Sequence, residues 1–301
     1  MNNFLGIDWG GTYIKAGVIN QNGKILKKIA FSSNDFVHKL AFINKIQYLV
    51  DACKSYDIKG VGIGAPGIVD IKKGYIYYLP NVPGWKNYPL KNILQKKLKL
   101  PVAIDNDANV FALAEARLGA ARGAKHAIFL TLGTGLGGAI ISEGKLLEAR
   151  TSALELGHVP VSLTGKKCSC GGVGCIETFT GSKHLLNRYR QLKRSGAYVN
   201  EVKDIFLHAR AGEKEACMVF EEFSLALGKF LAGMINIFNP EVIVLGGGVA
   251  GALSVFKPLV WNAIKAQAMW PQIKGLKLVR ARVQDTGIIG AGLLIKETLY
   301  K

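Results

Sequence analysis

Three of the chain's five cysteines lie in one glycine-rich segment, whose sequence at residues 165–180 is GKKCSCGGVGCIETFT. A histidine, His158, precedes the first of them by ten residues. Cys168 and Cys170 are too close in sequence for a relaxed disulfide, whereas a closed tetrahedral zinc site takes four cysteine and histidine ligands. The segment therefore predicts a structural zinc site formed by His158, Cys168, Cys170 and Cys175, with free thiols as the alternative.

Three apolar strands run into separate glycine turns, with the sequences DWGGT at residues 8–12, GTGLGG at 133–138 and GGG at 246–248. A glycine turn after a strand lets backbone N–H groups approach an anion closely. The spacing G-x-x-x-x-G-K-[ST] of a P-loop does not occur. GTGLGG lies between two predicted strands and not before a helix, which argues against a dinucleotide-binding fold. The three turns instead favour a nucleotide in an actin-like architecture, with Asp8 placed to hold Mg²⁺ through water.

Two aspartates lie between a predicted strand and a predicted helix, in the sequence DNDAN at residues 105–109. A carboxylate in such a position can accept the proton of a bound hydroxyl during phosphoryl transfer. The alternative is helix capping, for which Asp and Asn are both favoured. From the residues alone, Asp105 and Asp107 are both candidates for the base, and capping stays open for either.

The candidate site residues lie on predicted strands and turns, and the order of these elements repeats along the chain. FLGIDWGGTYIKAGVINQNGKIL and AIFLTLGTGLGGAIISEGKLL each contain a strand, a glycine turn, a second strand and a hairpin turn. The repetition predicts a duplicated α/β fold of the actin-like ATPase (ribonuclease H-like) class, with two domains and a cleft between them. Two unrelated strand–glycine–strand units are the alternative.

The composition is that of a soluble globular protein. The chain has 301 residues, of which 49% are hydrophobic and 20% charged, and this length suits about two domains. No apolar run approaches the roughly 20 residues of a membrane-spanning helix, and no signal-peptide pattern is present, so we expect a cytoplasmic protein. The net charge of +18 would suit nucleic acid or polyphosphate. However, the lysines are scattered and not interleaved with aromatic residues, which favours a lysine-rich enzyme surface.

Motifs along the whole chain resemble, in order, those of the ROK family (repressors, open reading frames and sugar kinases). They are DxGGT, GIGAPG, NDAN, TLGTGLGG, ExGH, CxCGxxGCxE and NPEVIVLGGG. The resemblance implies an actin-like fold, ATP-dependent phosphorylation of a hexose, and a homodimer. The segment NVPGW is similar to the glucokinase branch, so glucose is the expected acceptor. We expect a smaller domain formed by residues 1–108 and 287–301 and a larger domain formed by residues 109–286.

Matched position by position, the resemblance makes Asp107 the catalytic base. The residues implied to bind the sugar are Asn106, Asp107, Glu155, His158, Glu177, Gly67 and Asn81. The residues implied to hold ATP and its Mg²⁺ are Asp8, Gly10, Gly11, Thr12, Gly133, Thr134, Gly135, Gly246, Gly247 and Gly248. The implied zinc ligands are the four already named, so Zn²⁺ would be structural and would fix sugar-binding side chains.

The same motifs leave three alternatives. Kinases of N-acetylmannosamine, N-acetylglucosamine, mannose and fructose share them, so the identity of the hexose is open. Sugar-responsive repressors of the family carry a helix-turn-helix segment before the first glycine turn, which begins here at residue 8. Relatives that use polyphosphate typically lack the cysteine segment, so ATP is the expected donor. We expect small-molecule partners, without nucleic acid or membrane.

Overall fold

The computed structural model describes residues 2–10, 13–33, 38–80, 82, 84–150, 154–193 and 199–300, which form both strands and helices. The strands are β1 (Asn3–Trp9), β2 (Tyr13–Asn20), β3 (Ile25–Ser32), β4 (Ile58–Ala65), β5 (Ile68–Asp70), β6 (Tyr75–Tyr78), β7 (Lys86–Tyr88), β8 (Val102–Asn106), β9 (Ala127–Leu132), β10 (Leu136–Ser142), β11 (Lys145–Leu146), β12 (Val242–Gly246) and β13 (Lys277–Arg280). The helices are α1 (Lys39–Ala52), α2 (Leu90–Leu98), α3 (Asp107–Leu118), α4 (Glu177–Thr180), α5 (Ser182–Lys193), α6 (Val202–Arg210), α7 (Lys214–Phe238), α8 (Leu253–Lys265), α9 (Trp270–Ile273) and α10 (Thr286–Leu299). Among these helices, none is both long enough and apolar enough to span a membrane.

The chain divides into two units, each with its own five-stranded sheet. The first unit comprises Met1–Arg122, Leu146–Leu154 and Arg282–Lys301, and the second comprises Gly123–Lys145 and Glu155–Ala281. The strand order is β3-β2-β1-β4-β8 in the first sheet and β11-β10-β9-β12-β13 in the second. In both sheets an antiparallel pair (β1 with β2, β9 with β10) continues into two parallel strands. The shared order confirms the predicted duplicated α/β fold of the actin-like class.

Helices pack on both faces of the first sheet. Side chains of β1 alternate, so that Leu5 and Ile7 join a core with α1 and α2, while Phe4 joins a second core with α3 and α10. α10 lies very close to the sheet, because a Cβ atom at Gly62 of β4 would collide with the Ala291 carbonyl of α10. The small residues of β4 therefore allow α10 to approach the sheet closely. This packing holds α10 in place, and the first turn of α10 lies near Asp8.

The second unit is built around its central strand and longest helix. All five residues of β12 are buried, as expected for a parallel strand covered on both faces. α7 has 25 residues and packs against α8, with Phe223 of α7 and Phe256 of α8 at 4.9 Å between ring centroids. This core supports the two glycine turns that follow β9 and β12.

Some lysines of the first unit lie over aromatic rings. The distance from Nζ to the ring centroid is 4.7 Å for Lys39 and Tyr88 and 5.6 Å for Lys86 and Tyr78. Such contacts contribute modestly to stability when they are exposed. The partners are separated in sequence, which is why the scattered lysines gave no sign of them.

Candidate active site

Asp107 is the first residue of α3, and its side chain is exposed while the residues on either side of it are buried. The Asn106 side chain caps α3 by accepting a hydrogen bond from the Ala108 N–H at 2.8 Å, and Asp107 Oδ1 accepts from the same N–H at 2.8 Å. Asn106 Nδ2 also donates to the Gly67 carbonyl at 3.1 Å. The structure therefore brings Asn106, Asp107 and Gly67 together in the first unit and leaves the Asp107 carboxylate accessible.

Asp105 is buried behind this turn. Its Oδ1 accepts hydrogen bonds from the Asn106 N–H at 2.6 Å and from Asn109 Nδ2 at 2.8 Å. Burial raises the pKa of Asp105 to about 6 against the lowering effect of these two donors, and nearby Glu148 raises it further. The two aspartates thus differ in burial, a difference that their positions in the sequence do not show. The sequence argument missed Asn109, whose only signal was its spacing of four residues from Asp105.

Asp8 is the next-to-last residue of β1, and its carboxyl group lies against Gly287 in the first turn of α10. Burial is the main cause that raises the pKa of Asp8; Lys15 opposes this effect and Asp285 adds to it. In the turn that follows, the Gly10 N–H donates to the Tyr13 carbonyl at 3.0 Å. Three other predicted site residues, Gly11, Thr12 and Asn81, lie outside the described residues.

The other two glycine turns lie next to each other in the second unit. They follow β9 and β12, which are neighbouring parallel strands paired through Thr131 and Gly246. Gly247 has φ +82° and packs so tightly on Leu132 that a side chain would not fit. At Gly133 and Gly248, by contrast, an added Cβ would meet no described atom within 4 Å. The two turns therefore present open backbone at one edge of the sheet, beside the exposed Thr134.

The predicted zinc ligands form a cluster in the second unit. One ligand atom from each of His158, Cys168, Cys170 and Cys175 lies within 4.8 Å of the others. The Sγ atoms of Cys170 and Cys175 are 3.7 Å apart, and Cys168 Sγ is 3.5 Å from His158 Nδ1. Zinc bond lengths give tetrahedral edges of about 3.8 Å between two sulfurs and about 3.6 Å between sulfur and nitrogen. The donor set and its spacing therefore fit a zinc ion.

The predicted sugar-binding side chains of the second unit surround this cluster. His158 turns Nδ1 towards Cys168, and its Nε2 is 4.0 Å from Glu155 Oε2. Glu177 Oε1 is 4.0 Å from Cys168 Sγ, and its Oε2 accepts a hydrogen bond from the Leu136 N–H at 3.1 Å. Burial raises the pKa of Glu155, an effect that His158 opposes and Glu177 reinforces. The cluster thus holds two carboxylates and one imidazole near one another.

Gly135 connects the second glycine turn to this group of side chains. A Cβ atom at this position would overlap the Glu177 carboxylate, which also accepts from the next residue, Leu136. The predicted role of Gly135 was phosphate binding. Its position shows in addition that no side chain fits at residue 135, because the Glu177 carboxylate occupies that space.

Gly135→Ala is expected to displace the Glu177 carboxylate. If Glu177 binds sugar as the resemblance implies, the KM for sugar should rise at least about tenfold, because small displacements of positioning groups have large kinetic effects. Gly133→Ala is the matched control in the same turn, where a Cβ meets no described atom within 4 Å. Steady-state kinetics with sugar and nucleotide varied separately will test this. An unchanged sugar KM in Gly135→Ala, with a loss confined to the nucleotide, would contradict it.

Comparison with known proteins agrees with these features. A model of the ROK family matches residues 4–298. A glucokinase of Thermotoga maritima is 35% identical over 98% of each chain. The crystal structure of a ROK family glucokinase from Streptomyces griseus in complex with glucose and AMPPNP has a TM-score of 0.82 and 30% identity, covering 98% of this chain and 99% of that one. A ROK family transcriptional regulator, a homologue of the E. coli MLC protein, has a TM-score of 0.90 and 26% identity, covering 99% of this chain and 78% of that one. The chain thus belongs to the ROK family.

Proposed function

We propose that this protein is an ATP-dependent hexose kinase that transfers the γ-phosphate of ATP to the 6-hydroxyl of glucose. The observation that carries the proposal is the exposed carboxylate of Asp107 at the start of α3, next to the capping Asn106. Similarity to glucokinases along nearly the whole of both chains supports it. An accessible carboxylate next to a sugar-binding amide is what hydroxyl phosphorylation requires.

In the proposed reaction, Asp107 accepts the proton of the sugar hydroxyl as that oxygen attacks phosphorus. Asn106 and Gly67 are proposed to orient the sugar, with Asn81 as a further contact. Glu155, His158 and Glu177 are proposed to hydrogen-bond hydroxyl groups of the sugar. Most of the catalytic effect would come from positioning and from charge stabilisation, as is usual in phosphoryl transfer.

The glycine turns are proposed to hold the nucleotide. Backbone N–H groups of residues 10–12 and 133–135 would bind phosphate oxygens, and residues 246–248 would lie against the adenosine. A Mg²⁺ ion, when bound with ATP, neutralises charge on the phosphates. Asp8 would hold this ion through water, and the burial that raises the pKa of Asp8 would be offset by the charge of the ion.

The cysteine cluster is proposed to be a structural zinc site. Four protein ligands leave no open position, so the ion supplies rigidity and no reactive water. His158 would bind through Nδ1, which leaves Nε2 for the sugar. The four ligand residues would then keep Glu155 and Glu177 at fixed distances from the His158 imidazole.

Other hexoses are the main alternative acceptors, and N-acetylmannosamine and N-acetylglucosamine are the first to test. Polyphosphate is an alternative donor, which the net charge of +18 would suit. A sugar-responsive regulator is a second candidate function, favoured by the similarity to the MLC homologue. A regulator would bind duplex DNA with a steep dependence on salt concentration.

A coupled assay over a small panel of sugars, run with ATP and with polyphosphate, tests the proposal. We expect the highest kcat/KM with glucose and ATP. A higher value with an N-acetylhexosamine would change the acceptor, and a higher value with polyphosphate would change the donor. If no sugar is phosphorylated while the protein still binds sugar, the kinase assignment is wrong.

A further inference from the structure

One buried carboxylate near the candidate active site has no part in the proposed reaction. Asp105 is only 3% exposed and ends the apolar part of β8, two residues before Asp107. A buried carboxylate is costly to keep charged unless hydrogen bonds stabilise it. A role other than direct participation in the reaction would explain why a carboxylate is buried at this position.

The contacts of Asp105 join the strand to the first turn of α3. A single oxygen, Oδ1, accepts from the Asn106 N–H at 2.6 Å and from Asn109 Nδ2 at 2.8 Å. Asn109 is itself only 3% exposed. One bond holds the residue before Asp107 and the other holds the residue two positions after it, so the two bonds together limit rotation of that turn.

Packing restrains the same turn from the side. Asp105 pairs in register with Gly64 of β4, and a Cβ at Gly64 would meet the Val110 side chain at 2.5 Å. α3 therefore lies tightly on β4 in the turn after Asp107. Packing sets the distance of the helix from the sheet, and the Asp105 bonds set its rotation.

We propose that Asp105 is a positioning residue, whose Oδ1 fixes the first turn of α3 and thereby the direction in which the Asp107 carboxylate points. The inference deepens the proposed function and rests on it, because it assumes that Asp107 acts on a bound hydroxyl. The accepting oxygen is what positions the turn; the negative charge is not required.

The charge itself is unfavourable to folding. Since burial raises the pKa of Asp105 to about 6, the folded state binds a proton more readily than the unfolded state does. The charge therefore lowers the free energy of unfolding by its full amount above about pH 6. This destabilisation decreases as the pH falls towards the ordinary pKa of aspartate. The carboxylate of Glu148 adds to the rise in the pKa of Asp105.

Asparagine at position 105 would keep an accepting oxygen and remove the charge, whereas alanine would remove both. We expect Asp105→Ala to lower kcat at least about tenfold, because misplacing a reacting group by about 1 Å can cost about 10²-fold. We expect Asp105→Asn to keep kcat within about threefold of wild type and to raise the melting temperature at pH 7.5 more than at pH 5. Asn109→Ala removes one of the two hydrogen-bond donors to Asp105, and alanine itself favours the helix. We expect this variant to lower kcat by less than Asp105→Ala does.

Glu115→Gln is the matched control at the other end of α3. Glu115 is fully buried and accepts from the Ala120, Arg282 and Val283 N–H groups, so its loss should lower the melting temperature with kcat unchanged. Wild-type kcat in Asp105→Ala or Asn109→Ala would overturn the positioning role. A loss in Asp105→Asn equal to that in Asp105→Ala would overturn the claim that the oxygen, and not the charge, acts. If wild-type protein phosphorylates no sugar, it is the proposed function that fails, and this is measured first.

Discussion

Asp107→Asn is expected to lower kcat by at least about 10²-fold, the smaller end of the effect of removing a general base. This corresponds to about 2.7 kcal/mol of transition-state stabilisation. The amide has the size of the carboxylate and can hydrogen-bond a sugar hydroxyl, but it cannot accept the proton. Sugar affinity should therefore change little while turnover is lost.

The measurement combines steady-state kinetics with calorimetric titration of sugar in the absence of nucleotide. Asp57→Asn is a suitable control, because Asp57 is an exposed aspartate of the same unit whose carboxylate pairs with Lys59. Surface changes of this kind rarely alter stability by more than about 0.5 kcal/mol. If Asp107→Asn retains turnover, another group is the base, and Asp107 serves binding or capping alone.

Loss of zinc is expected to weaken sugar binding at least about tenfold more than nucleotide binding, since groups that orient a ligand typically contribute such factors. Cys175 is the ligand to replace, because it is buried and lies two residues before Glu177. Cys175→Ser would loosen the segment that holds Glu177 and His158. The glycine turns after β9 and β12 are built on the sheet and should keep most of their affinity for nucleotide.

Zinc content would be measured by atomic spectroscopy and both dissociation constants by calorimetry, for the wild-type protein, its chelator-treated form and the variant. Cys217→Ser provides the control, because Cys217 lies half-buried on α7 with its Sγ directed at the Ala209 carbonyl, outside the cluster. Equal weakening of sugar and nucleotide binding would show that the ion only holds the unit together, and it would contradict the proposed fixing of sugar contacts.

The fold could be predicted well because its signals are local. Each strand–glycine–strand block contains apolar residues at the period of a strand and glycines where the chain must turn. The two blocks predicted a duplicated α/β fold, and the shared strand order of the two sheets confirms it. The cluster of one histidine and three cysteines could be predicted for a similar reason, since three cysteines within eight residues favour a metal site over separate thiols.

Other parts of the candidate site depend on burial and close packing, which spacing does not show. Asp105 and Asp107 have the same side chain at the junction of β8 and α3, and they differ in burial, which the sequence does not show. The steric constraint on Gly135 comes from Glu177, a residue far along the chain. The pairing of lysines with aromatic rings also arises from tertiary contacts. Contacts of this kind between distant segments are invisible to periodicity and motif arguments.

The close packing of α10 on β4 has a consequence for biosynthesis. The core that contains Phe4 of β1 also contains Ile288 and Leu293 of α10, so segments far apart in the sequence complete it together. The second unit needs no residue beyond Ala281, and all its strands and helices leave the ribosome before α10 does. Domains generally fold as they emerge. In this protein, however, the first unit is completed only when α10 emerges, and until then α3 alone covers part of that apolar face of its sheet.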